Sequence, residues 1–278
     1  MKTISAAQIT KTVAQLCISA NIYADPHIRK SICTARQSET LPIAQSALDM
    51  IIENMEIAEI EKMPMCQDTG MVVVFVELGQ EVYVNGNLAD AINEGVRQGY
   101  QDGCFRASIV ADPIQRKNTN DNTPAVIHYN IVLGDKIKIM VMPKGFGSEN
   151  KGAVKMLTPS QGIAGVEDFV LETIIKAGAD PCPPIVIGVG VGGTMEKAAL
   201  LSKEALASLY DKNPDPYWAK VEARLLQKIN ELNIGVAGLG GKTTALGVRI
   251  LTYPTHIAGL PVAVNIGCHV SRHKSEVI

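Results

Sequence analysis

The run Met71-Val-Val-Val-Phe-Val76 offers no polar side chain to water. It reads as a β-strand buried on both faces. Ile185–Val189 reads in the same way, and Val262–Ile266 reads as a further strand, so the chain is not all-helical. Helical signals stand between these strands. Ile43, Ala47, Met50, Ile51 and Met55 recur at three- and four-residue spacings on one helix face, and Pro42 suits that helix's first turn. Residues 1–60 are expected to be helical, with further helices over Leu88–Tyr100, Asn150–Leu157, Val166–Ala177, Thr194–Tyr210 and Tyr217–Leu232. Ser148 is the expected cap of the Asn150–Leu157 helix. Glu81–Val84 and Leu246–Leu251 are expected strands, and Ala125–Val132 with Lys136–Met142 is expected to form a hairpin around Gly134-Asp135. No internal repeat or low-complexity linker is visible. The expected class is α/β (mixed α+β), a single domain over 1–278 with residues 1–60 as a helical region packed on a mixed sheet, without strict strand–helix alternation.

Composition narrows the function. The 278 residues carry a formal net charge of −2, which argues against binding nucleic acid through bulk positive charge. No apolar run approaches the ~20 residues of a membrane-spanning helix. Gln8, Lys11 and Gln15 interrupt any signal-peptide core. A cytoplasmic location with no membrane partner is expected.

Two glycine-rich motifs invite a nucleotide reading. Gly188-Val-Gly190-Val-Gly-Gly193 fits GxGxxG, but no acidic residue ends a second strand ~20 positions later; that distance falls near Asp211, between two helices. Gly240-Gly241-Lys242-Thr243-Thr244 looks like the end of a phosphate loop, but the leading glycine position holds Val236. Close packing of strand and helix explains the first motif. A backbone that presents N–H donors to a carboxylate suits the second.

Six cysteines form no CxxC pair, so no zinc ribbon or ferredoxin-type motif is present. Cys17 and Cys33 lie in helical sequence and read as inert thiols. Cys66, Cys182 and Cys268 stand in loop-like sequence at strand ends, where a rigid scaffold presents ligands. Three thiolates on a four-iron four-sulfur cluster leave one iron open to act as a Lewis acid. Three unrelated thiols is the alternative, and spacing alone does not decide between them.

Several motifs follow one another along the chain: Cys66-Gln-Asp-Thr-Gly70, Lys144-Gly-Phe-Gly-Ser-Glu-Asn-Lys151, Pro181-Cys-Pro-Pro184 with Ile187–Thr194, and Gly238–Thr243 followed by His256 and Cys268. Together they resemble the α subunit of two-subunit class I (iron–sulfur) fumarate hydratases and the related L-tartrate dehydratases, from about residue 40 to the end. The resemblance implies a 4Fe-4S cluster on Cys66, Cys182 and Cys268. It also implies reversible hydration of a C4 dicarboxylate, fumarate to (S)-malate as in the tricarboxylic acid cycle, or tartrate to oxaloacetate as the alternative. By the same resemblance, Gln67, Asp68, Arg106, Gly147, Asn150, Lys151 and His256 contact substrate. Asp68 and His256 are the candidate catalytic groups in this chain, and the base comes from a separate β subunit, in an expected α2β2 assembly. The rivals are a nucleotide-binding protein using Gly188–Gly193 or Gly240–Thr243, and a non-catalytic regulatory or assembly subunit.

Overall fold

Ser5 turns the chain from strand into helix: its hydroxyl accepts the Gln8 N–H at 3.2 Å and caps the first helix. This computed structural model describes residues 2–278. The elements of the first half are β1 (Lys2–Ser5), α1 (Ala6–Ile22), α2 (Pro26–Ser38), α3 (Pro42–Glu61), β2 (Met71–Gly79), β3 (Val82–Asn85), α4 (Leu88–Asp102), β4 (Val126–Val132) and β5 (Ile137–Lys144). Those of the second half are α5 (Phe146–Glu149), β6 (Ala153–Leu157), α6 (Gly162–Ala177), β7 (Ile185–Gly192), α7 (Met195–Ala207), α8 (Pro216–Glu231), β8 (Ala245–Tyr253), β9 (Leu260–Gly267) and β10 (Lys274–Val277). The fold is mixed α/β, and among the described residues no helix is long and apolar enough to cross a membrane.

The chain divides into two compact units. Unit 1 takes residues 2–25, 54–146 and 272–278; unit 2 takes 26–53 and 147–271. Unit 1 holds a four-stranded sheet in the order β10-β5-β2-β4, and β1 pairs in parallel with β3. Its core joins Ile9, Val13 and Leu16 of α1, Ile92 and Val96 of α4, and Val72, Val74 and Val76 of β2. Unit 2 holds a four-stranded sheet in the order β6-β9-β7-β8. Its core joins Val166, Val170 and Ile174 of α6, Val221, Leu225 and Ile229 of α8, and the buried strand β7.

The three central strands of the two sheets share one topology. In unit 1, β2 passes through α4 to β4, its parallel neighbour, and β5 then returns antiparallel on the other side of β2. In unit 2, β7 passes through α7 and α8 to β8, its parallel neighbour, and β9 returns antiparallel on the other side of β7. The outermost partners, β10 on β5 and β6 on β9, are both antiparallel. Sequence alone showed no repeat, because the repeat lies in pairing order and not in residue identity.

Four local expectations are corrected. Residues 2–5 are not helical but form β1, because β3 supplies a parallel ladder from Lys2↔Val82 to Ser5↔Asn85. The strands on either side of Gly134-Asp135 exist, but β4 and β5 do not pair with each other; β2 lies between them and pairs with both. Residues 153–157 form β6, not the end of a helix, because β9 supplies a ladder from Ala153↔Val264 to Leu157↔Leu260. Ser148 sits buried inside the short α5 and does not cap a helix over 150–157.

Candidate functional site

Antiparallel return determines which loops meet. Met71 at the start of β2 pairs with Lys144 at the end of β5, so the segment before β2 and the segment after β5 share one end of the unit 1 sheet. Val186 near the start of β7 pairs with Gly267 at the end of β9, so the segment before β7 and the segment after β9 share one end of the unit 2 sheet. Cys66 precedes β2, Cys182 precedes β7 and Cys268 follows β9. Cys66 and Cys182 therefore occupy equivalent places in the repeated topology.

In unit 1 the Cys66–Gly70 loop is held from several directions. The Asp68 carboxylate shapes it: Oδ1 accepts the Gly70 N–H at 3.0 Å, and Oδ2 accepts the Phe146 N–H at 2.8 Å. Gly70 is required there, since φ is +80° and a Cβ would lie 2.8 Å from the Lys144 backbone. The Tyr100 hydroxyl donates to the Thr69 carbonyl at 2.6 Å, and burial holds that phenol well above its usual range. Arg272, buried, donates from Nη2 to the Asp68 carbonyl and from Nε to the Pro143 carbonyl at 3.3 Å, while its Nη1 has no partner. Gln67 and Arg106 are exposed. Unit 1 thus brings Cys66, Gln67, Asp68 and Arg106 into one connected set of loops, since the Thr69 hydroxyl donates to the Arg106 carbonyl at 3.0 Å.

In unit 2 the turn before β7 carries Cys182 in the left-handed region, at φ +56°, with its side chain exposed. A non-glycine residue in that region is strained unless its surroundings hold it. The Cys182 N–H donates to the Ala179 carbonyl at 3.1 Å, and His269 Nδ1 lies 3.0 Å from the Cys182 carbonyl. The ring therefore carries its proton on Nδ1, because a carbonyl oxygen only accepts. Burial lowers the His269 pKa, against the opposing pull of that same bond. The glycine loop also reaches this turn: Lys151 Nζ pairs with Asp180 at 2.5 Å, and a Cβ on Gly147 would sit 3.8 Å from the Asp180 carbonyl oxygen. Asn150 is exposed beside them in sequence. Unit 2 brings Gly147, Lys151, Cys182 and Cys268 to one sheet end.

His256 is not at that end. It follows β8, and the neighbouring Thr255 hydroxyl donates to the carbonyl of Gly193, just past β7. The eight-residue strand β7 separates it from the cysteine turn, roughly 23 Å at ~3.3 Å per residue. His256 Nδ1 accepts the Ala258 N–H at 3.2 Å, and the ring lines a mostly apolar cavity of about 350 Å³ with Trp218, Ile163 and Val191.

No cysteine among the described residues is in a disulfide. Cys66 and Cys268 are half-buried and Cys182 exposed, whereas Cys17 is fully buried, and burial pushes its thiol far up, away from the thiolate a metal needs. The first three therefore have the donor chemistry and solvent access of iron–sulfur ligands. Among the described residues, no three His, Cys, Asp or Glu side chains are grouped closely enough to hold a metal ion.

Neither glycine motif forms a nucleotide loop. Gly188 and Gly190 lie inside β7 under α7: a Cβ would come within 2.1 Å of the Ser202 carbonyl oxygen at Gly188, and within 2.0 Å of the Ala198 carbonyl oxygen at Gly190. The Gly240–Thr243 loop does present an N–H to a carboxylate, the chain's own: the Lys242 N–H donates to Glu39 Oε2 at 2.7 Å, and Lys242 Nζ donates to the Ser38 carbonyl at 3.0 Å.

The supports Tyr100, Arg272 and His269 had no sequence signal, because each acts through a partner distant in the chain. A family model described as fumarate hydratase (fumerase) matches residues 10–277. A Methanocaldococcus jannaschii protein provisionally named L(+)-tartrate dehydratase subunit alpha is 40% identical over 273 residues, 95% of each chain. The L(+)-tartrate dehydratase subunit alpha of Escherichia coli K12 is 30% identical over 275 residues, 98% of this chain and 91% of that one. The chain belongs to the fumarate hydratase (fumerase) family.

Proposed function

We propose that the chain is the α subunit of an iron–sulfur hydro-lyase that reversibly hydrates fumarate to (S)-malate, with a β subunit completing the active site. The observation that carries this reading is the equivalent placement of Cys66 and Cys182 before the central strands of two like sheets, with Cys268 beside the Cys182 turn. These three thiols are the proposed cluster ligands. When bound, such a cluster supplies an open iron whose Lewis acidity assists departure or delivery of a hydroxyl.

The chain's other residues handle the dianion. Arg106 forms a bidentate fork with one carboxylate. Lys151, held by Asp180, offsets further negative charge, and the exposed Gln67 and Asn150 add hydrogen bonds. Gly147 leaves the backbone open to close approach. Asp68 keeps lone pairs beyond its two loop bonds and accepts a hydrogen bond from substrate. The base that removes the C3 proton is assigned to the β subunit. His256 is left out of this set because of its distance along β7 from both unit 2 cysteines. An α2β2 assembly, a cytoplasmic location and a step of the tricarboxylic acid cycle go with this reading.

The relatives' names favour a second reading, L-tartrate dehydration to oxaloacetate. The test is anaerobic reconstitution with and without the β chain, followed by iron and acid-labile sulfide analysis and by turnover of fumarate and of L-tartrate. The proposal expects bound iron and sulfide on the α chain alone and turnover only with β. Absence of both iron and hydration activity in the complex overturns it. Tartrate turnover that far exceeds fumarate turnover selects the second reading.

A further inference from the structure

Arg106 has an exposed side chain on a backbone tied down by buried groups. The Thr69 hydroxyl, buried, donates to the Arg106 carbonyl at 3.0 Å. Asn122 is fully buried and uses both ends of its amide: Nδ2 donates to the Gly70 carbonyl at 3.2 Å, and Oδ1 accepts the Ser108 N–H at 2.8 Å. Its φ of +59° lies in the left-handed region, which asparagine tolerates better than most residues. One amide therefore stitches the loop that carries Cys66, Gln67 and Asp68 to the segment Arg106–Ser108. All of these residues belong to unit 1.

We propose that Asn122 and Thr69 are positioning residues that aim the Arg106 guanidinium at a substrate carboxylate. The inference rests on the reading of Arg106 as a carboxylate fork. Bidentate recognition needs the guanidinium plane aligned with the carboxylate, and a small tilt of the backbone is magnified at the end of a long side chain. Such misplacement is costly even when it is near 1 Å. The carboxylate is bound in ground state and transition state alike, so the loss falls on KM and spares kcat. A purely structural role would instead reduce the amount of folded enzyme and leave the KM of the folded fraction unchanged.

The experiment uses the anaerobically reconstituted α–β complex, with fumarate as substrate and, by calorimetry, as ligand. Thr69→Val is expected to raise KM about tenfold with kcat within about twofold, and Thr69→Ser to restore it. Asn122→Asp still accepts from Ser108 and, while ionised, cannot donate to Gly70, and is expected to raise KM likewise. It also serves as the test should Thr69→Val fail to fold. In an Arg106→Ala background neither substitution should raise KM further. An unchanged KM in both variants, or an undiminished increase in the Arg106→Ala background, overturns the inference alone. Wild-type complex that neither turns over nor binds fumarate or L-tartrate, or an Arg106→Ala variant with unchanged KM, overturns the reading of Arg106 and the inference with it.

Discussion

His269 Nδ1 lies 3.0 Å from the carbonyl oxygen of Cys182, a bond that ties the turn before β7 to the residue after Cys268. Loss of that donor frees a strained residue, since Cys182 holds φ +56°. His269→Ala is expected to lower cluster retention, with iron released to a chelator roughly tenfold faster than from wild type, the low end of what supporting residues cost in metal affinity. His269→Asn keeps an N–H donor and should recover part of the difference. Equal release rates for all three proteins would show that the bond does not steady the ligand.

Glu39 is a buried carboxylate that satisfies three backbone donors. Oε1 accepts from Thr40 and Leu41 at 2.8 and 3.0 Å, and Oε2 accepts from Lys242 at 2.7 Å. Burial pushes its pKa up, but the backbone donors outweigh burial and leave it below the usual carboxylate range. A depressed folded-state pKa contributes stability that is present above the unfolded pKa and lost as pH falls through the folded one. Wild type should therefore lose stability as pH falls below the ordinary carboxylate range. Glu39→Gln should lose about 1–3 kcal/mol at neutral pH, through a weakened acceptor and an ill-fitting amide N–H, and should show less of the acid-dependent decline. Thermal unfolding of both proteins across acidic pH measures the difference.

Gly190 leaves room for the Ala198 carbonyl of α7, which would lie 2.0 Å from an added Cβ. The obstacle is backbone, so no side-chain rotation relieves it. Gly190→Ala is expected to cost about 3 kcal/mol or to prevent folding, at the upper end of overpacking effects. Wild-type thermal stability should not respond to added ATP or NAD, because a ligand of the native state would raise it. A clear upward shift with either nucleotide would restore the nucleotide reading of this motif.

Legibility in the sequence followed the range of the interaction. The helices α4, α6, α7 and α8 and the strands β2, β7 and β9 announce themselves through local apolar patterns, and the structure places all of them close to the expected bounds. Partner choice is not local. The adjacency of β4 and β5 suggested a hairpin, yet β2, more than fifty residues earlier in the chain, takes the place between them. Residues 153–157 looked helical because their ladder partner, β9, comes over a hundred residues later. The same division holds for the candidate site. Loop cysteines at strand ends are visible in one dimension. Asn122, which faces Gly70 and Ser108, and Arg272, which faces Asp68, become visible only when distant segments are brought together.

The sharpest contrast concerns His256 and Arg106, which the sequence resemblance places in one role. Arg106 is bonded through its carbonyl to the loop that holds Cys66. His256 stands at the end of β8, the length of β7 away from the turn that holds Cys182, and its Nδ1 is occupied by the Ala258 N–H. A side chain reaches only a few ångströms from its Cα, so within unit 2 the imidazole cannot touch a group seated at the cysteine end. Arg106→Lys replaces a planar fork with a point charge and is expected to raise KM for the dicarboxylate at least tenfold. His256→Asn keeps an acceptor for the Ala258 N–H and is expected to leave kcat and KM within about twofold of wild type. Steady-state kinetics of the two variants in the α–β complex measure both values. A His256→Asn variant as impaired as Arg106→Lys would return the histidine to the active site.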